Sequence, residues 1–349
     1  MRYSQLSECR IFNNEPKKRM QYCTMLVFFF KICYISEEDI FKTFWSKLME
    51  KIQKNNKKIF LIIISIISIV GLCVSIGFNI YHGVCYMKSD SYLQSTEEIY
   101  IMESGILRNN LEFHDGTDYK LQYNFLHKNY EQLKNKYNLE DKAKEGTEFE
   151  RALRLMDEYG PRLTHKSDYD NHISMNALDL LEYSLNNKNH GINCRAKAQI
   201  LNEMCLSLGI YSRKVWIMPY SKYDGDCHVV NEIWDSSRNK WVMLDITNNM
   251  YWVDENNTPL SILEIRTKAA LHEFCTPVEV GDNTNNLQKL KEKNIGNFLY
   301  IVKNMVYMEY CTEYTVGEGK DYYMLLPQNI PTEYELLISK SAIERSPIQ

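Results

Sequence analysis

From Ile59 to Ile80 the chain runs for 22 residues without a charged side chain, opening Ile-Phe-Leu-Ile-Ile-Ile-Ser-Ile-Ile-Ser-Ile-Val. About 20 apolar residues in a helix cross the hydrocarbon core of a bilayer, and a soluble core helix is less uniformly apolar. A secretory signal is the rival reading, but its apolar part is usually shorter and ends in a small-residue cleavage site. No such site is clear here, and the residues before Cys73 and Cys85 make no lipid-attachment motif. The stretch is therefore expected to be a signal anchor, a single transmembrane helix over 59–80. Lys47, Lys51, Lys54, Lys57 and Lys58 precede it, and from its end to residue 95 only Lys88 is positive. An excess of Lys and Arg marks the cytoplasmic side, so residues 1–58 are expected inside and everything beyond the span outside.

The segment before the span is read in two parts. Met25-Leu-Val-Phe-Phe-Phe30 is apolar but too short to cross a bilayer, and Lys31 follows it; it suits an interfacial segment. Met49 to Lys58 has the form of a natural start for an anchored protein, a short basic tail and then the span. Residues 1–48 are expected to be an upstream extension or a mis-called start.

Beyond the span about 270 residues remain, enough for one sizeable core with extensions. The net charge of −4, with mixed signs, argues against a nucleic-acid partner. The spacing of the ten cysteines shows no disulfide framework and no Cys-x-x-Cys pair. A zinc site from Cys194, Cys205, Cys227 and His228 is therefore disfavoured, and no metal or other cofactor is expected.

Local patterns place the elements. Residues 81–146 read as a membrane-proximal helical region, with a helix from Tyr119 to Leu139. Thr147-Glu-Phe-Glu150 is a capping box; the helix it opens buries Ala152, Leu153, Leu155 and Met156 and stops at Gly160-Pro161. A second helix carries Ala177, Leu178, Leu181 and Leu185 on one face. Asn193 is a favoured N-cap for a third, in which Ala198, Leu201, Cys205 and Leu208 form an apolar stripe ended by Gly209. Strands follow at Arg213–Met218, Cys227–Trp234, Lys240–Leu244 and Met250–Val253. Helices followed by an antiparallel sheet make an α+β core, assigned to residues 147–275, with 276–349 as a C-terminal extension. In that extension Asn297 to Tyr310 reads as helical, Tyr322 to Pro327 as a strand packed on the core, and the last residues as frayed.

This layout singles out three residues. Cys194 starts a helix, whose N-terminus carries partial positive charge and free N–H groups that favour a thiolate and can hold an oxyanion. His228 opens a strand, Asp245 closes the next, and the turn cluster Asp235-Ser-Ser-Arg-Asn239 joins them into an antiparallel hairpin. A nucleophilic thiol needs a base beside it and a group to orient that base. Neighbouring candidates fit plainer roles. Cys205 fits a core cysteine. His190 and His172 lie in polar stretches and are expected to be exposed, Asp224 and Asp226 are loop acids expected to be solvated, and Cys227 should point away from the face His228 uses.

The region from about 147 to 266 resembles the transglutaminase-like superfamily, which shares the papain-like cysteine-protease fold. The resemblance rests on Cys194 at a helix start, Leu208-Gly-Ile210 with Arg213 soon after, His228 opening a strand and Asp245 closing the next. His228 lies 34 residues after Cys194, and Asp245 lies 17 after His228. Two features depart from the family pattern: Val229-Val230 stands where aromatic residues often follow the His, and Asp245-Ile-Thr247 stands for Asp-Pro-Thr. The Tyr220 to His228 loop and Asn171 to Leu185 look most like an uncharacterised bacterial branch. The resemblance implies a transglutaminase-like core, with its catalytic helix packed on an antiparallel sheet, behind the transmembrane helix. It implies a Cys194-His228-Asp245 triad that performs thiol acyl transfer, as protein crosslinking or as peptide or amide hydrolysis. The implied partners are the membrane and a protein or peptide substrate of the cell envelope, and no calcium-site motif accompanies them. The alternative is a non-catalytic envelope interaction module that keeps the fold.

Overall fold

The computed structural model describes residue 46 and residues 57–221, 223–281, 287–331 and 336–348. The expectations for residues 1–45 and 47–56, including the interfacial segment and the start at Met49, lie outside the described residues. Contacts divide the chain into two units between Ser95 and Thr96.

Helix α1, Lys57–Arg108, is 52 residues long. Within it, Leu61–Val84 is long and apolar enough to cross a membrane, and its side chains are almost all exposed. The helix runs well beyond the expected 59–80 because no proline interrupts the sequence before Arg108.

The unit from Thr96 onward is a mixed α+β structure. Its elements in chain order are β1 (Gln122–Tyr123), α2 (Lys128–Tyr137), α3 (Leu139–Ala143), α4 (Glu148–Tyr159), α5 (Ala177–Asn186), α6 (Cys194–Ser207), β2 (Ser212–Met218), β3 (His228–Asp235), β4 (Lys240–Asp245), β5 (Met250–Val253), α7 (Ile262–Ala270), β6 (Thr276–Glu279), α8 (Leu287–Lys303), β7 (Tyr307–Cys311), β8 (Glu313–Tyr314), β9 (Tyr322–Leu325) and α9 (Lys340–Glu344). Seven strands form one sheet in the order β6-β5-β4-β3-β2-β7-β9, every pairing antiparallel. Strands β1 and β8 make a separate two-stranded parallel pair.

Side-chain alternation along the sheet feeds two apolar layers. Val215, Ile217 and Val230 face the layer that holds α7, the end of α8 and the last turns of α1. Ile233, Val242 and Leu244 face the layer built from α2 to α6. Both faces are covered, so all eight residues of β3 are buried.

Three expectations change at this level. The helix expected from Tyr119 begins only at Lys128, because Gln122 and Tyr123 are drawn into pairing with Glu313 and Tyr314, and His127 then caps α2. The helix expected over Asn297–Tyr310 ends at Lys303, and Tyr307 onward pairs with both β2 and β9. The tail is docked: Arg213 Nη1 donates to the carbonyl of Ile343 at 2.9 Å, and Ile343 is buried.

Arg213, three residues past the Leu-Gly-Ile turn, has a structural place. Arg213 is 1 % exposed; its guanidinium donates to Glu232 Oε2 from Nε and Nη2 at 2.9 and 2.6 Å and lies 3.8 Å from the Trp241 ring centre. Glu232 Oε1 in turn accepts from the Ile262 N–H at 3.0 Å. One buried ion pair thus ties β2, β3, α7 and the tail together.

Candidate active site

Helix α6 begins at Cys194 because Asn193 caps it, its side chain accepting from the Ala196 N–H at 3.0 Å. The approach to the cap is braced on one side: Ile192 N–H donates to the Thr164 carbonyl, and Lys166 N–H to the Ile192 carbonyl, each at 3.0 Å. Gly191 permits this close pass, since a Cβ there would sit 2.7 Å from Lys166 Cβ. Asn193 Nδ2 also donates to Asn171 Oδ1 at 3.1 Å. At the far end Gly209, at φ +74°, closes the helix as Ile210 N–H returns to the Cys205 carbonyl. The expected apolar stripe is buried, and so is every residue of α6 from Ala196 to Ser207. Asn231 Nδ2 on β3 donates to the Ala198 carbonyl at 2.9 Å, fixing the first turn of α6 against the strand that carries the histidine.

His228 is the first residue of β3 and Asp245 the last of β4. In the β3–β4 pairing Asn231 lies opposite Leu244, so the open end of the hairpin carries both side chains. His228 Nε2 meets Asp245 Oδ2 at 2.8 Å; His228 is 2 % exposed and Asp245 fully buried. Asp245 accepts three further bonds. Oδ1 takes the Thr247 and Asn248 N–H groups at 2.9 and 3.2 Å, and Oδ2 takes Asn248 Nδ2 at 2.8 Å.

Nε2 is committed to Asp245, which leaves Nδ1 as the ring's other nitrogen, and the half-buried Cys194 lies close enough to the ring to act on its pKa. Burial alone would push the imidazolium pKa down. The Asp245 charge and hydrogen bond, with the Cys194 sulfur, outweigh it and raise the pKa to about 10. Burial pushes Asp245 up, but the His228 charge and hydrogen bond, together with Asn248, hold it below the usual carboxylate value. The three residues singled out in the sequence are therefore brought together at the N-terminus of α6.

The weighed alternatives fall elsewhere. Cys205 is fully buried, and burial pushes its thiol up to about 12. Cys227 is half-buried, and burial pushes it to about 12 as well. His172 is exposed and bonded to Asp170, as a polar stretch suggests. His190 is only half-exposed: its ring stacks on Tyr183 at 4.3 Å and its Nδ1 meets the Tyr183 carbonyl. Asp224 and Asp226 are held by Lys303 at 2.9 and 3.1 Å rather than simply solvated.

Two residues at the site were not anticipated. Lys197, one turn into α6, is 2 % exposed; burial lowers its amine to about 8, against the opposing charges of Asp245 and Cys194. A lysine three residues from the cysteine is the available signal in the sequence. Tyr300 on α8 sets its ring against His228, centres 5.4 Å apart at 67°. Nothing local to His228 announces a residue so distant in sequence.

A thiol at a helix start thus lies beside a histidine and an aspartate on adjacent antiparallel strands. Residues 135–246 match the family model of the transglutaminase-like superfamily, so the chain carries a transglutaminase-like domain that includes all three residues. No curated protein and no solved structure matches the chain.

Proposed function

We propose that the protein is a membrane-anchored thiol acyl-transfer enzyme that uses Cys194, His228 and Asp245. The observation that carries this reading is the 2.8 Å His228–Asp245 bond, buried beside a cysteine that opens a helix. Cys194 attacks a carboxamide or peptide carbonyl, and His228 takes the thiol proton and later gives it to the leaving amine. Asp245 keeps the imidazole in the tautomer that presents Nδ1 to the sulfur. The Cys194 N–H, at a helix start where no intrahelical carbonyl is available to it, is placed to meet the developing oxyanion. The acyl-enzyme then passes to an amine, giving a crosslink, or to water, giving hydrolysis.

The apolar stretch Leu61–Val84 supports the anchor. The lysines at 47–58 support an orientation with the N-terminus inside and the transglutaminase-like domain outside. Envelope proteins or peptides are then the substrate class within reach. The test is acid-quenched mass spectrometry of the protein mixed with glutamine-containing and envelope-type peptides. A thioester on Cys194, absent from Cys194→Ala, is expected. Binding of such peptides with no acyl adduct under any of these conditions would favour a non-catalytic interaction module.

A further inference from the structure

We infer that Tyr300, on the C-terminal helix α8, is the positioning residue that holds His228 in its working orientation. The inference rests on the reading of Cys194 and His228 as the reactive pair. His228 follows a stretch, Tyr223–Cys227, with no regular secondary structure and the turn-forming run Asp224-Gly225-Asp226. Asp245 fixes Nε2 of the ring, but the loop that leads into the strand needs a restraint of its own. Helix α8 supplies a second restraint, on the loop and on the ring face.

Tyr300 and Lys303 stand three residues apart on α8, hence on one face. The Tyr300 hydroxyl donates to Asp226 Oδ1 at 3.1 Å and reaches the carbonyl of Cys227, the residue just before His228, at 3.4 Å. Lys303 Nζ grips Asp224 and Asp226 from the same face. The Tyr300 ring then packs edge-on against the imidazole. Phe298, Ile301 and Val302, buried in the apolar layer beneath, anchor the helix that does this. The two residues after His228 are both valine, so no aromatic neighbour in β3 could serve as a wall. One face of α8 therefore restrains both the ring and the backbone that leads into it.

The test measures the rate of Cys194 alkylation by iodoacetamide across the neutral range, in the full chain in detergent, with His228→Ala as reference. Tyr300→Leu removes the ring and hydroxyl, and Tyr300→Phe removes the hydroxyl alone. Lys303→Met releases the loop without touching the apolar layer, and so remains informative if Tyr300→Leu does not fold. Tyr300→Leu should slow alkylation by about threefold to tenfold, the worth of one aromatic contact, and move the pH–rate profile towards that of His228→Ala. Tyr300→Phe and Lys303→Met should fall between that variant and wild type. A purely structural role would lower the melting temperature but leave the profile of the folded variants where it is, and that result overturns the inference. If His228→Ala itself leaves the profile unchanged, the reactive-pair reading fails, and the inference fails with it.

Discussion

Replacing Asp245 by asparagine exchanges one heavy atom and changes the site by much. The carboxylate accepts four hydrogen bonds in a fully buried place: His228 Nε2 and Asn248 Nδ2 at Oδ2, and two backbone N–H groups at Oδ1. An amide has one oxygen. With its nitrogen at the Oδ2 position it confronts two donors; flipped, it confronts the two backbone donors. Either way two buried hydrogen bonds are lost, at about 1–3 kcal/mol each, so a cost of about 3–5 kcal/mol is expected, the range for breaking a buried ion pair. The pH dependence follows from the shifts. His228 is raised to about 10, so its contribution is complete below its unfolded value of about 6.5 and fades as pH climbs through the folded one. Asp245 is depressed, so its contribution is complete above about 3.9 and fades as pH falls through the folded value. The stability gap between wild type and Asp245→Asn should thus be widest from about pH 4 to about pH 6.5 and narrow on both sides. Urea melts across pH measure it. Turnover should fall by about 10²–10⁴, by analogy with serine triads, because the imidazole loses its orienting partner. A gap that does not vary with pH, or an unimpaired rate, would refute the reasoning.

Glu232→Gln leaves the Arg213 guanidinium buried without its counter-charge and should cost about 3–5 kcal/mol in urea unfolding. Cys205→Ala should lower stability by roughly 1–2 kcal/mol and leave thiol reactivity at Cys194 intact, since Cys205 lies wholly inside the layer between α6 and the sheet. In bacterial cells carrying the full chain, protease added to spheroplasts should remove the domain that follows Leu61–Val84; protection of that domain with digestion of the N-terminal side would reverse the proposed orientation.

What could be read from the sequence was what local chemistry decides. The capping box at Thr147 forms as written, both its bonds present, and Asn193 caps α6. The β3–β4 hairpin follows from two β-rich runs and a turn cluster, and it carries His228 to Asp245. What could not be read depends on partners far along the chain. Gln122 and Tyr123 become extended only because Glu313 and Tyr314 lie beside them. Tyr307 to Cys311 forms a strand because β2 offers an open edge. The aromatic wall of the histidine follows the same rule. Its absence from the positions after His228 is visible in the sequence, whereas its supply from Tyr300 is a product of the fold. Burial of Lys197 likewise emerges only in the folded structure.

The most direct test of the central claim compares the iodoacetamide alkylation rates of Cys194 and Cys205 in one sample at neutral pH, resolved by peptide mass spectrometry, in wild type and in His228→Ala. The account predicts that Cys194 reacts far faster than Cys205 and faster than a cysteine in an unfolded peptide. It also predicts that His228→Ala removes most of that advantage. A Cys194 that reacts no faster than the unfolded peptide, and is indifferent to the loss of His228, would contradict it.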